Sequence, residues 1–253
     1  HALRPKRALI PVPTFAEYEQ ALESVGAQVE HVLLKEEEEF RVQDSFIDWL
    51  HKDLDMVFLC NPNNPTGMLT DREFLFKLLR VCREMDIFLV VDECFQDFIR
   101  DPGQYSLKAQ LSRYHNLFLL KAFTKRYAMA GVRLGYGITE NEELLEKMTL
   151  ATQPWNISVP AQAAGIAALQ ETEYVEKARK LIFEEAEYLS GELYKLGMTV
   201  FPSQANYLFF KGPEDLFEIC VRKNVLIRDC SNYPGLGKGF YRVAVRTHEE
   251  NEQ

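Results

Sequence analysis

The first half of the chain is punctuated by short apolar runs with no polar alternation, at residues 8–12, 56–60, 87–91 and 117–120. A run such as Ile87-Phe88-Leu89-Val90-Val91 has no face to offer water, so it predicts a strand buried on both sides, as strands are in parallel sheets. Residues 28–34 and 134–138 read as further strands. The segments between them are helical in pattern. Residues 15–25 end at Gly26, and residues 44–50 form a short helix. Thr70-Asp71-Arg72-Glu73 has capping-box spacing ahead of an apolar face made by Phe74, Leu78, Val81, Cys82 and Met85. Such alternation predicts an α/β fold, a mainly parallel sheet covered by helices.

The pattern changes after Thr139. Residues 141–151 and 161–197 are charged and helical, and residues 200–210, 225–228 and 240–245 read as strands of a smaller α+β domain. Gln153-Pro154-Trp155-Asn156-Ile157-Ser158 is a rigid crossing segment between the two, so the expected division is 1–150 and 151–253. With 253 residues and 47% hydrophobic content, both parts can bury a core. There is no apolar stretch of membrane-spanning length and no signal-peptide pattern, and the five cysteines have no metal-ligand spacing. Their odd number fits a reducing compartment, and a cytoplasmic protein is expected. A net charge of -9 argues against nucleic acid as a partner. The acidic run from Glu36 to Glu39 is expected to be a solvated loop, since four like charges gain nothing by burial.

Chemistry concentrates where three predicted strands end. Asn61-Pro62-Asn63-Asn64-Pro65-Thr66-Gly67 is a stiff turn after one apolar run, in the position where open α/β sheets place ligands. Asp92 ends the next strand; alone it would be an N-cap or a surface acid, but it can also pair with a protonated ring nitrogen. In Leu120-Lys121-Ala122-Phe123-Thr124-Lys125 the third run delivers Lys125, and the small pair Ala130-Gly131 lets the chain turn so that Arg133 returns beside it. An amine that can hold an aldehyde and a guanidinium that can hold a phosphate bidentately would then face one site.

In this order, Asn64, Asp92, Lys125 and Arg133 resemble the class I/II aminotransferase superfamily, the fold type I pyridoxal-phosphate enzymes, over essentially the whole chain. The resemblance implies pyridoxal 5'-phosphate as cofactor. Asn64 would bond its ring hydroxyl, Asp92 its ring nitrogen, and Lys125 would attach it covalently. Thr124 and Arg133 would hold its phosphate. Phe15, in Pro13-Thr14-Phe15-Ala16, matches the aromatic that stacks on the ring. The sequence departs from the common pattern at Phe95, where many relatives carry tyrosine, and at Ala122, where many carry a hydroxyl residue.

The C-terminal motifs, Leu226-Ile227-Arg228-Asp229-Cys230 and Gly239-Phe240-Tyr241-Arg242-Val243, resemble the histidinol-phosphate aminotransferase branch, and within it the L-threonine O-3-phosphate decarboxylases of cobalamin assembly. This implies a phosphorylated amino-acid or amine substrate, its carboxylate on Arg242 and its phosphate on Arg228, with Asn206 in the site wall and Arg246 near it. Decarboxylation is the first expectation and histidinol-phosphate transamination the alternative. The resemblance also implies a homodimer. Relatives carry an N-terminal arm, an upstream phosphate-binding helix start and a last helix that this sequence lacks, so it is expected to be part of a longer enzyme. A catalytically silent remnant or an interaction domain is the reading from a different class.

Overall fold

A computed structural model describes residues 1–253. Its elements in chain order are β1 (Arg7–Val12), α1 (Glu17–Glu23), β2 (Gln28–Leu33), β3 (Met56–Cys60), α2 (Arg72–Glu84), β4 (Phe88–Asp92), α3 (Pro102–Tyr105), β5 (Leu117–Ala122), α4 (Phe123–Arg126) and β6 (Gly135–Ile138). Then follow α5 (Glu142–Ala151), α6 (Val159–Ala168), α7 (Thr172–Lys195), β7 (Thr199–Phe201), β8 (Tyr207–Lys211), α8 (Leu216–Arg222), β9 (Arg228–Asp229), β10 (Phe240–Ala244) and α9 (His248–Asn251). The apolar runs form a six-stranded sheet in the order β2-β1-β3-β4-β5-β6, parallel except where β6 runs against β5. Successive side chains divide between its faces. Leu9, Val57, Leu59, Leu89, Val91, Leu117 and Leu119 pack with the α2 residues Phe74, Leu75, Leu78, Leu79 and Cys82. Ala8, Ile10, Met56, Val90 and Phe118 pack with Leu22 and Leu144 on the other face. Both faces are covered, as continuous apolar strands require.

The second sheet, β7-β8-β10-β9, is antiparallel. Phe201, Phe209 and Phe240 on its strands close around Phe40, which follows β2. Lys211 at the end of β8 donates to Glu36 at 2.8 Å, so the acidic run is one 3-10 turn held at its first residue by a cation.

Local details differ from the sequence expectation. Asp71, not Thr70, caps α2, its side chain accepting from the backbone N–H of Glu73 and Phe74. The expected helix over 161–197 is two, α6 and α7, with a break between Ala168 and Thr172. The expected strand over 225–228 shrinks to Arg228–Asp229, following Asn224 in the left-handed region at φ 60°. Residues 200–210 are two strands of an antiparallel pair, since Pro202 has no N–H to continue the ladder.

Candidate functional site

Parallel register brings the ends of β3, β4 and β5 to one level, with Cys60 opposite Asp92 and Asp92 opposite Leu120. The turn carrying Asn64, the carboxylate of Asp92 and the one-turn helix α4 therefore emerge side by side at the carboxyl edge of the sheet. Asp92 is buried. Its Oδ2 accepts from the Tyr18 hydroxyl at 2.5 Å, and its Oδ1 from the Cys94 N–H at 2.8 Å. Burial, then the neighbouring Cys60 and Asp92, hold the Tyr18 hydroxyl well above the ordinary phenol range, so it stays a donor. The Tyr18 ring stacks on Phe58 at 4.4 Å and meets the edge of Phe15 at 5.6 Å. Phe15 itself is exposed.

Lys125 opens onto a cavity of about 880 Å³ that Phe95, Asn206, Tyr207, Arg228 and Arg242 also line. Its Nζ lies 5.3 Å from the centroid of the Phe95 ring. Partial burial, then the Arg242 guanidinium, lower the amine below its ordinary range, and Arg133 adds to this while Cys94 and Asp92 oppose it. Lys121, four residues earlier, is committed elsewhere: its Nζ is 2.8 Å from Glu93 Oε2 and donates to Gln96 Oε1 at 2.9 Å. Of the two amines in this strand and turn, only Lys125 faces the cavity.

Arg242 reaches the site from the second sheet. It is half-buried, donates from Nη1 to Asn64 Oδ1, and lies 5.0 Å over the Tyr207 ring. Tyr207 in turn donates its hydroxyl to the Asn63 carbonyl at 2.6 Å, which ties the turn of the first sheet to β8 of the second. Across the ladder, Arg228 sits directly opposite Arg242. It is exposed, donates to Asn232 Oδ1 at 3.2 Å and lies over the Tyr233 ring.

Phe15, Asn64, Asp92, Thr124 and Arg133 do not line this cavity; they flank it through Tyr18, Arg242 and Lys125. Thr124 sits beside Lys125 on α4, half-buried. Arg133 is exposed, in the left-handed region at φ 56°, and donates to the Ala130 carbonyl at 3.1 Å. Arg246 lines the cavity too, but it is ion-paired with Glu250 and mostly exposed, which leaves Arg228 and Arg242 as the cavity arginines without an acidic partner. Sequence reasoning missed Tyr18, Tyr207 and the pair of Glu93 with Lys121. Tyr18 had a signal, because it follows Phe15 by three residues and so shares its side of a helix start.

A buried carboxylate with lone pairs to spare, an unpaired amine of lowered pKa, an exposed aromatic ring, an amide and guanidinium groups with donors to spare suit a planar, phosphorylated pyridine aldehyde. The chain belongs to the family "Aminotransferase class I and II", which matches residues 2–253. Membership makes it one of the pyridoxal 5'-phosphate enzymes, a group that includes decarboxylases and aminotransferases. It is 36% identical to threonine-phosphate decarboxylase of Salmonella typhimurium, across 99% of this chain and 70% of the relative. It is 33% identical to histidinol-phosphate aminotransferase of Methanosarcina mazei, across 97% of this chain and 64% of the relative. The crystal structure of histidinol-phosphate aminotransferase from Clostridium acetobutylicum matches with a TM-score of 0.93 at 32% identity, over 99% of this chain and 76% of that one. That of L-threonine-O-3-phosphate decarboxylase from Porphyromonas gingivalis matches at 0.83 and 25% identity, over 99% and 75%. No helix is long and apolar enough to cross a membrane.

Proposed function

We propose that the protein acts on an amino acid bearing both a carboxylate and a phosphate, with decarboxylation of L-threonine O-3-phosphate, a step of cobalamin assembly, as its activity. The observation that carries this reading is the placement of Arg228 directly opposite Arg242, both lining the cavity onto which Lys125 opens. Like charges facing each other across a ladder repel, and in a chain of net charge -9 their retention fits a doubly anionic ligand. The half-buried, oriented Arg242 suits the carboxylate, and the exposed Arg228 suits the phosphate.

The cofactor assignments follow the flanking residues. Asp92 is assigned to the ring nitrogen, Asn64 to the ring hydroxyl, Phe15 to the ring face, Thr124 and Arg133 to the phosphate, and Lys125 to covalent attachment. Asn206 forms part of the wall. When bound, pyridoxal phosphate supplies an electron sink for the bond broken at Cα. The protein's part is direction: Arg242 fixes which way the substrate carboxylate points, and hence whether it or the Cα proton is the group released. Lys125, unpaired and with lowered basicity, is suited to take and return a proton. Residues 1–150 are assigned to cofactor binding and 151–253 to the smaller unit. A homodimer is proposed on family membership.

Transamination of histidinol phosphate is the second reading, favoured by the higher TM-score to the aminotransferase. The test incubates the protein and cofactor with threonine phosphate and measures CO2, then with histidinol phosphate and 2-oxoglutarate and measures glutamate. CO2 without glutamate supports the decarboxylase, glutamate without CO2 replaces it with the aminotransferase, and neither product overturns both.

A further inference from the structure

The segments carrying Asp92 and Lys125 are joined by two ion pairs that neither substrate nor cofactor assignments use. Glu93 is completely buried; its Oε2 lies 2.8 Å from Lys121 Nζ, and its carboxylate accepts from Ser106 Oγ at 3.0 Å and from the Leu107 N–H at 3.1 Å. Four residues on, Asp97 Oδ1 lies 2.6 Å from Arg126 Nη1. Asp92 immediately precedes Glu93, and Lys125 immediately precedes Arg126. The two acids and the two cations therefore sit on the same two stretches as the candidate ring-nitrogen partner and the candidate attachment amine.

These stretches need a tether. The last backbone bond aligning them runs from the Glu93 N–H to the Leu120 carbonyl at 3.0 Å, five residues short of Lys125. Beyond it α4 is four residues long and has no side-chain N-cap, and so short a helix does not hold itself together in water. Lys121 enters that turn and Arg126 leaves it, each pinned to the segment that follows Asp92. A carboxylate as buried as Glu93 tolerates no loss of its partner, so this contact acts as a fixed point.

We propose that the pair of Glu93 with Lys121 and the pair of Asp97 with Arg126 form a two-point clamp that sets the position of the Lys125 amine relative to the Asp92 carboxylate. The four are positioning residues. The inference rests on the assignment of Lys125 and Asp92 to the cofactor.

The test titrates pyridoxal phosphate into the cofactor-free protein, follows visible absorbance for affinity, and records the pH midpoint of that band. Far-UV circular dichroism and the unfolding temperature report the fold. Arg126→Gln removes the half-exposed rung, and the double change Glu93→Gln with Lys121→Met removes the buried one without stranding a charge. Each is expected to weaken cofactor binding by about tenfold or more, a change of about 1.4 kcal/mol, and to move the pH midpoint. The neighbours with the largest effect on Lys125 are Arg242, Cys94, Asp92 and Arg133, all kept in these variants, so a moved midpoint together with lost affinity reports displacement of the amine. Parental affinity and pH midpoint in both variants would overturn the clamp. A parent that binds no cofactor, or Lys125→Ala binding it as tightly as the parent, would instead overturn the assignment beneath it.

Discussion

Tyr18→Phe isolates one oxygen atom. The ring stays, and with it the stack on Phe58 and the edge contact with Phe15, while the 2.5 Å hydrogen bond to Asp92 Oδ2 is lost. Asp92 is then a buried carboxylate with the Cys94 N–H as its remaining donor. A hydrogen bond to a charged group contributes about 1.5–3 kcal/mol, so stability should fall by that amount. In a chain of this size it corresponds to a drop of about 3–12 °C in unfolding temperature. Urea unfolding of the parent, Tyr18→Phe, Asp92→Asn and the double variant measures it, with an expected coupling of at least about 1 kcal/mol between the two sites. The difference also depends on pH. The Tyr18 pKa is raised on folding, so its contribution is complete below the unfolded phenol value of about 10 and is lost as pH rises toward the folded value. The parent should therefore lose stability more steeply than Tyr18→Phe above about pH 10. Stability of Tyr18→Phe within about 0.5 kcal/mol of the parent, or strict additivity in the cycle, would refute the argument.

Lys125→Ala should abolish covalent cofactor attachment, and borohydride reduction followed by mass spectrometry should place the parent's adduct on Lys125 and not on Lys121, whose amine is paired with Glu93. Arg242→Ala should weaken binding of any α-carboxylate substrate by about 2–5 kcal/mol, and Arg228→Ala should penalise phosphorylated substrates more than unphosphorylated ones; inhibition constants for matched pairs of ligands measure both. Gly67→Ala should destabilise the chain by more than about 2 kcal/mol, because Gly67 has φ +71° and an added Cβ would lie 2.0 Å from Ser203 Oγ. Denaturant unfolding checks it, and a neutral result would mean that the Asn61 to Gly67 turn is not pressed against the segment before β8.

What the sequence made legible was local. Continuous apolar runs foretold β1, β3, β4 and β5 because burial on both faces leaves no polar alternation, and the places of Asp92 and Lys125 could be read because one ends β4 and the other lies just past the end of β5. The contacts that organise the site are of another kind. Tyr18 and Asp92 are 74 residues apart, Tyr207 and Asn63 144, and Arg242 and Asn64 178, and no periodicity encodes which distant side chains will meet. Arg246 reaches the cavity wall, but four residues on stands Glu250, and that local pairing takes the guanidinium. Likewise Asp71 displaced Thr70 as the cap because both residues have an acceptor and the choice depends on where the helix begins.

The bond between Arg242 and Asn64 limits what each can do for a ligand. An amide has one oxygen and one NH2, and here the oxygen accepts from Arg242, so the NH2 is the end left to donate to a ring oxygen. Under the proposed assignments, Asn64 would index the Arg242 guanidinium and the cofactor ring to the same amide, and a shift of one would carry the other with it. Arg242 is further fixed against the Tyr207 ring and by its place in β10 beside β8, whereas Arg228 is exposed, holds only Asn232 and Tyr233, and begins a two-residue strand. The stiffer guanidinium suits the group whose direction decides which Cα bond breaks. The freer one suits a phosphate, which presents acceptors on every side and needs charge more than orientation.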